Sequence, residues 1–445
     1  MFNTTICALA TARLNCAIHI IRISGSSAFS IINKILNKPV DYIGNRIFHR
    51  LIVDNGEKID DVLINTFVCP KSYTGEDVIE INCHGGVLVA DKILQTLIKY
   101  GCVHASRGEF TKRALFNKKL DLSQSQAINN LIHAQNNIGL KGSINALLGV
   151  PSKTIHSARD TLFDLIGQIE VNIDYPEYED VVEITTQKAI DITNKLIKEL
   201  NKILIDSKRF ININNGIKVI IFGEPNAGKS TLLNAMTKSN KAIISDIPGT
   251  TRDIVEATIT IDDVTLNLYD TAGIRETDDV LEQLGIEKAH QILEIADLVL
   301  ILQPVNKDDP NWLKNTIELI GEKKFIIVRT KSDLIDGDIK LQDNEVLINA
   351  KDNLIDPLIQ KIKQYFEVSE LLESNINVLQ SSQHIGLLAN SIEMLKEAQR
   401  KITTDPLDLI IELYNLSLSS LNKILGIDYN YDFLDELFSK FCLGK

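Results

Sequence analysis

The run Lys218-Val-Ile-Ile-Phe222 leads directly into Gly223-Glu-Pro-Asn-Ala-Gly-Lys229-Ser230, and this junction restricts the possible folds more than any other feature. It fits G-x-x-x-x-G-K-[ST] in the context that gives the motif meaning: a buried strand before it and a helical stretch, residues 231–236, after it. The glycines let backbone N–H groups close around phosphates, the Lys229 ammonium neutralises β- and γ-phosphate charge, and the Ser230 hydroxyl suits Mg²⁺. Strand–loop–helix alternation continues from residue 217 to about 366, which predicts a Rossmann-like α/β unit around the loop.

Further motifs follow in the order a guanine-nucleotide site requires. After a strand at 264–269 comes Asp270-Thr271-Ala272-Gly273, whose carboxylate can reach Mg²⁺ through water and whose glycine N–H can sense a γ-phosphate. Between this motif and the loop lies Gly249-Thr250-Thr251-Arg-Asp253, where Thr251 can complete the Mg²⁺ shell only when the γ-phosphate is present. After a strand at 325–328 comes Thr330-Lys331-Ser332-Asp333; Asp333 can accept from the ring N–H and exocyclic amine of guanine, which adenine cannot offer. Asn349-Ala350-Lys351 fits the last base-contact loop. The position that carries a water-orienting glutamine in Ras-type enzymes is Ile274, so a polar group must come from elsewhere, and Glu282 lies in the following segment. Read alone, Glu282 is better taken as a solvated helix-face carboxylate, and Asn226 is equally a turn residue or part of a monovalent-cation site beside the β and γ oxygens.

The 445 residues predict two to four domains. Residues 1 to about 118 alternate β-branched runs (17–23, 47–53, 62–68, 78–81) with helical stretches such as 87–99, a small α/β pattern. From 121 to about 211 the period turns helical (127–138, 155–169, 187–206), and it does so again at 381–403 and from 407 onward. A helical domain in two segments with the α/β unit inserted between them is the simplest arrangement. The formal net charge of -12 excludes a general polyanion binder, so RNA contact would need a local basic patch; Lys112-Arg113 with Lys118-Lys119 is one candidate. No basic-then-apolar leader and no run of about 20 apolar residues occurs, so a cytoplasmic, non-membrane protein is expected. The six cysteines show no C-x-x-C spacing and read as reduced thiols.

The motif set and its flanks resemble the MnmE (TrmE) family over almost the whole chain. Recognisable stretches are Ile21-Arg-Ile-Ser-Gly25, Ser72-Tyr-Thr-Gly-Glu-Asp-Val-Ile-Glu80, His84-Gly-Gly86, Arg107-Gly-Glu-Phe-Thr-Lys-Arg113, Lys119-Leu-Asp-Leu122, Ile173-Asp-Tyr-Pro-Glu177 and Phe441-Cys-Leu-Gly-Lys445. The resemblance implies an N-terminal α/β folate-binding and dimerisation domain at 1–118, a helical domain split into 119–212 and 376–445, and a TrmE-type, Ras-like P-loop G domain at 213–375. It also implies a GTPase that works with the FAD-carrying MnmG protein, as a homodimer within a heterotetramer, on tRNA. Their product would be a carboxymethylaminomethyl-type group at C5 of the wobble uridine, with the one-carbon unit drawn from a 5,10-methylene or 5-formyl tetrahydrofolate.

Carried over by position, the GTP contacts are Asn226, Ala227, Gly228, Lys229, Ser230, Thr231, Ser245, Asp246, Ile247, Pro248, Gly249, Thr250, Thr251, Asp270, Thr271, Ala272, Gly273, Thr330, Lys331 and Asp333. The resemblance gives Mg²⁺ to Ser230 and Thr251, K⁺ to Asn226, Ser245, Ile247 and Thr250, and the attacking water to Glu282. It gives folate to Arg22, Glu80, Lys119 and Lys445, and makes Cys442 a functional thiol. Folate carboxylates suit Lys or Arg, and the pterin N–H edge suits Glu80. Departures are Thr11-Ala-Arg-Leu-Asn-Cys16 in place of a glycine- and proline-rich stretch, Thr330 in place of Asn, Asn349 in place of Ser, and Gln383 in place of Arg. The Thr330 hydroxyl can still donate to guanine N7, which predicts weaker binding with unchanged base choice. The competing class is a ribosome-assembly or signalling GTPase of the Era or Der kind, but no G-x-x-G loop in a KH-like context occurs.

Overall fold

The computed structural model describes all residues except 1–2, 175–185, 239–241, 245–256, 262, 271–292, 308, 335–339, 374–375, 428–443 and 445. The chain forms two compact units: residues 1–129, 147–197 and 387–445 make the first, and 130–146 and 198–386 the second.

The first unit contains a six-stranded sheet of β1 (Ile6–Leu9), β2 (Ile18–Ser24), β3 (Arg46–Asp54), β4 (Glu57–Phe67), β5 (Val78–His84) and β6 (Val103–His104), in the order β3-β4-β5-β2-β1-β6. Strand side chains alternate between faces. Ile21, Ile23, Ile64, Ile79 and Ile81 therefore point to one side, where they pack on Ile93 and Leu97 of the helix Val87–Lys99. That helix buries Ala90, Ile93, Leu94 and Leu97, the three- and four-residue spacing of a core-facing stripe. The opposite face has its own small core of Ile6, Ala8, Ala105 and Phe110, with Tyr73 packed against it. Arg22 lies on that face, paired in register with Ala8 and with Glu80.

Sequence-distant helices also meet in the first unit. Arg159, on Val150–Asp174, donates to the Asn422 side chain on Leu407–Leu425 at 3.0 Å. The buried Thr193 and Tyr414 hydroxyls lie 2.8 Å apart, and Ser391, on Ser382–Lys401, lies 2.7 Å from Ser417. Among the described residues, no helix is long and apolar enough to cross a membrane.

The second unit is built on a seven-stranded sheet of β7 (Ile217–Gly223), β8 (Ala242–Ile244), β9 (Ala257–Ile261), β10 (Val264–Asp270), β11 (Leu298–Pro304), β12 (Phe325–Thr330) and β13 (Glu345–Leu347), in the order β13-β12-β11-β7-β10-β9-β8. β13 to β10 run parallel, and β9 and β8 add an antiparallel edge. All seven residues of β11 are buried, the near-continuous apolar run of a strand covered on both faces. Two helical segments join this core. Ile138 of Asn137–Leu147, and Phe210 and Ile213 of Thr186–Asn214, pack with Ile217 and Leu266. The contact is close enough that a β-carbon at Gly142 would stand 2.2 Å from the Phe210 ring.

The helical reading of 127–138 requires a correction. One helix ends at Ile132, and another begins at Asn137. Buried Asn136 separates them: its Oδ1 accepts from Gly139 N at 2.7 Å, as an N-cap does, and its Nδ2 donates to Thr265 Oγ1 at 3.1 Å.

Candidate functional site

Ligands of open α/β sheets bind beyond the carboxyl ends of the strands. Here β7 ends at Gly223, flanked by the parallel strands β10 and β11. The following loop enters the helix Lys229–Lys238, whose N-terminus presents unpaired N–H groups to an anion. Two positions show why this sequence forms that loop. Gly228 has φ +101, which L side chains rarely adopt, and a β-carbon at Gly223 would stand 3.1 Å from both Ala227 Cβ and Leu302 Cβ. Asn226 takes φ +62, a left-handed conformation that asparagine tolerates better than most residues, and its side chain is exposed.

The Lys229 ammonium donates to the Gly223 carbonyl oxygen at 2.9 Å, so the charge lies along the loop that would hold the phosphates. Glu224 is held outward by an ion pair with Lys307 at 2.8 Å. Ser230 and Thr231 stand exposed on the first helical turn. Asp270 ends β10 with its backbone opposite Ile221 of β7.

Base-recognition candidates converge on the same end of the sheet. Asp333 lies in the short 3₁₀ turn Ser332–Leu334, just after β12, and Lys331 adopts φ +63 to make the turn. The turn is closed by Leu334 N donating to the Lys331 carbonyl at 3.1 Å. Behind it, Arg329 and Glu345 form an ion pair at 2.9 Å with Glu345 only 5% exposed, bracing β12 against β13. The 349–351 segment is fixed by Asn349, whose Nδ2 donates to Asp352 at 2.7 Å and whose Oδ1 accepts from Asp352 N at 3.2 Å. Gly228, Thr231, Thr330, Lys331, Asp333, Asn349, Ala350 and Lys351 line one cavity of about 240 Å³. The structure thus joins the end of the phosphate loop to both expected base-contact segments. The Thr330 hydroxyl, expected to be free for guanine N7, instead donates to the Ala227 carbonyl at 2.8 Å.

A second charged site lies on the first unit. Arg22 Nε and Nη2 both donate to Glu80 Oε1, at 2.9 and 2.8 Å, and Nη1 donates to the Gly444 carbonyl at 3.1 Å. The guanidinium sits 5.3 Å from the Tyr73 ring centre and 5.7 Å from that of Phe110. Lys119 does not join this cluster; its ammonium donates to the Pro70 carbonyl at 3.1 Å. Sequence reasoning missed Tyr73, Phe110 and Gly444 as neighbours of Arg22. The available signal was that each belongs to a stretch already singled out: Ser72–Glu80, Arg107–Arg113 and Phe441–Lys445.

Arg113 must be withdrawn from the candidate basic patch. It is fully buried, with its guanidinium bonded to Glu76, Glu109 and the Thr4 carbonyl. Of the remaining expected site residues, Ser245, Asp246, Ile247, Pro248, Gly249, Thr250, Thr251, Thr271, Ala272, Gly273, Glu282, Cys442 and Lys445 lie outside the described residues.

Two family profiles match the chain: one described as the GTP-binding protein TrmE N-terminus over residues 5–119, and one as the MnmE helical domain over residues 122–442. A protein named tRNA modification GTPase MnmE from Ureaplasma parvum serovar 3 is 50% identical over 446 residues, covering 99% of this chain and 100% of that protein. Proteins of the same name from Mycoplasmoides gallisepticum and Mycoplasma mycoides subsp. mycoides are 45% and 39% identical. The first alignment covers 99% of this chain and 98% of that protein, and the second covers all of both.

Proposed function

This chain belongs to the MnmE family of tRNA modification GTPases, and we propose that its cavity between the phosphate loop and residues 330–351 is where guanine nucleotide is bound and turned over. The carrying observation is that Gly228 and Thr231, from the phosphate loop and its helix, line the same 240 Å³ space as Asp333 and Lys351. Asp333 would accept from the N1–H and amine of guanine, a charge-assisted pair that adenine cannot form. Lys229 would exchange the Gly223 carbonyl for phosphate oxygens. The exposed Ser230 hydroxyl and the Asn226 amide oxygen are hard oxygen donors of the kind Mg²⁺ and K⁺ take, with Thr251, Ser245, Ile247 and Thr250 completing the two sets. The cations supply positive charge at the β and γ oxygens. Glu282 would orient the attacking water by accepting one of its protons in a hydrogen bond. Residues 245–251 and 271–282 would respond to the γ-phosphate.

In this reading the α/β unit is a G domain inserted between two segments of a helical domain, along the divisions 1–118, 119–212, 213–375 and 376–445. Paired G domains of a homodimer, assembled with an MnmG-type FAD protein in the cytoplasm, would couple turnover to chemistry at the wobble uridine. Tetrahydrofolate would sit at Arg22 and Glu80, supplying a one-carbon unit, with Lys119 and Lys445 pairing its carboxylates and Cys442 nearby. The Glu80 carboxylate fits such a ligand by its chemistry, since it can accept from the N–H edge of a pterin while Arg22 holds it in place. Tyr73, half-buried, offers aromatic surface beside them, with Phe110 buried behind the guanidinium.

The test is mass spectrometry of wobble nucleosides from cells with and without the gene. Loss of the C5-modified uridine without it supports the reading; unchanged nucleosides favour an Era- or Der-like switch instead.

A further inference from the structure

The nucleotide cavity contains one hydrogen bond whose polarity is fixed by chemistry. Thr330 Oγ1 lies 2.8 Å from the carbonyl oxygen of Ala227. A carbonyl oxygen can only accept, so the hydroxyl is the donor, and its single proton is committed to the phosphate loop. Thr330 is 3% exposed and Ala227 1%, so water does not compete for this bond. The backbone on either side is equally fixed. Val305 N donates to the Thr330 carbonyl at 3.0 Å, and Ile348 N donates to that of Arg329 at 2.9 Å. A β-branched side chain on a strand also has few χ1 choices. Gly228, at φ +101, passes so near that a β-carbon there would stand 3.8 Å from Thr330 Oγ1.

What remains of Thr330 for the cavity is a methyl group and oxygen lone pairs. The N7 and O6 edge of guanine is made of acceptors, which a lone pair cannot serve. We propose that Thr330 is a positioning residue and not a base-reading one. Its hydroxyl latches the segment 330–333 to the phosphate loop, so that Asp333 is held at a fixed distance from the phosphate cradle, and the residue gives no hydrogen bond to N7. This rests on the guanine placement proposed above. Selection against adenine is unaffected, because it depends on Asp333 at the other edge of the base.

The test measures affinities of the full-length protein for GDP, 7-deaza-GDP (N7 replaced by C–H) and ADP by calorimetry, in the native protein and in Thr330→Val and Thr330→Ser. Removing the donor while leaving Ala227 O buried should weaken GDP and 7-deaza-GDP by the same factor, on the order of tenfold, in Thr330→Val. The ratio of the two affinities then matches that of the native protein. Thr330→Ser keeps the donor and should retain both native affinities. Should Thr330→Val not fold, Thr330→Ala removes the same donor and supplies the comparison. The proposal is overturned if loss of the hydroxyl weakens GDP but not 7-deaza-GDP, which would place the proton on N7. It is overturned equally if neither affinity changes, which would mean no latch. If the native protein binds ADP as tightly as GDP, the guanine reading has failed, an outcome distinct from both.

Discussion

Replacing Arg113 by alanine should destabilise the N-terminal sheet by about 3–5 kcal/mol, the loss expected when one partner of a buried ion-pair network is removed. The structure shows why the upper half of that range applies. Arg113 has no exposed surface, while the side chains of Glu76 and Glu109 are only 15% and 17% exposed. Nη1 donates to Thr4 O at 2.8 Å and to Glu76 at 3.0 Å, and Nη2 donates to Glu109 at 2.8 Å and to Thr4 Oγ1 at 3.1 Å. Alanine would leave the mostly buried Glu76 and Glu109 carboxylates without the guanidinium that pairs with both. Ser24 on Glu76 and Ser106 on Glu109 supply hydrogen bonds but no charge. Arg113→Lys keeps the charge without the planar fork and should lose roughly half as much. The assay is urea-dependent hydrogen exchange followed on peptides covering β2 and β5. A loss of under about 1 kcal/mol in Arg113→Ala, the size of a surface pair, would refute the buried-network account and return Arg113 to the candidate basic patch.

Asp333→Asn replaces an acceptor by an amide that can also donate, and should weaken GDP by about two orders of magnitude or more, since bonds to a charged acceptor contribute about 1.5–3 kcal/mol each. A xanthine nucleotide, with a carbonyl in place of the amine, should recover much of that loss in a competition assay; unchanged GDP binding would remove Asp333 from base recognition. His384 is buried, neither ring nitrogen has a partner among the described residues, and burial holds its imidazole down at about 4, against 6.5 ordinarily. The unfolded chain therefore takes up a proton that the native state refuses, and stability should fall as pH drops from about 6.5 towards 4, by at most ~3 kcal/mol. His384→Leu should flatten this slope in urea unfolding compared at pH 7 and pH 5; equal slopes would contradict the assignment.

The nucleotide site was legible because its chemistry is local. Gly223 to Ser230 is a contiguous loop after the apolar run of β7, and the Asp333 segment follows that of β12. The helix Val87–Lys99 was legible for a similar reason, a clean stripe ended by Tyr100-Gly101. Three features were not. β1 is only four residues long, and its place beside β2 depends on pairing that no local pattern encodes. The break before Asn137 was hidden because the apolar spacing continues through it; the side chain that caps the second helix, Asn136, is itself bonded to Thr265, 129 positions away. Arg113 lies in a basic run, where a charge ordinarily faces water, and its burial depends on partners distant in sequence, Glu76 37 residues earlier and Thr4 109 residues earlier. Thr330 lay between these cases: its place in the cavity was readable, but the partner of its proton was not, since Ala227 is 103 positions away.

In the proposed function GTP is cleaved with an alkali cation supplying the charge that an arginine supplies elsewhere, and with Glu282 in the place of a glutamine. The most direct measurement is steady-state phosphate release from GTP by the full-length protein with Mg²⁺, in KCl and in NaCl at equal ionic strength. The account predicts turnover faster in K⁺ by on the order of tenfold or more, the scale of a preorganised charge at the developing transition state. Equal rates in the two salts would contradict it.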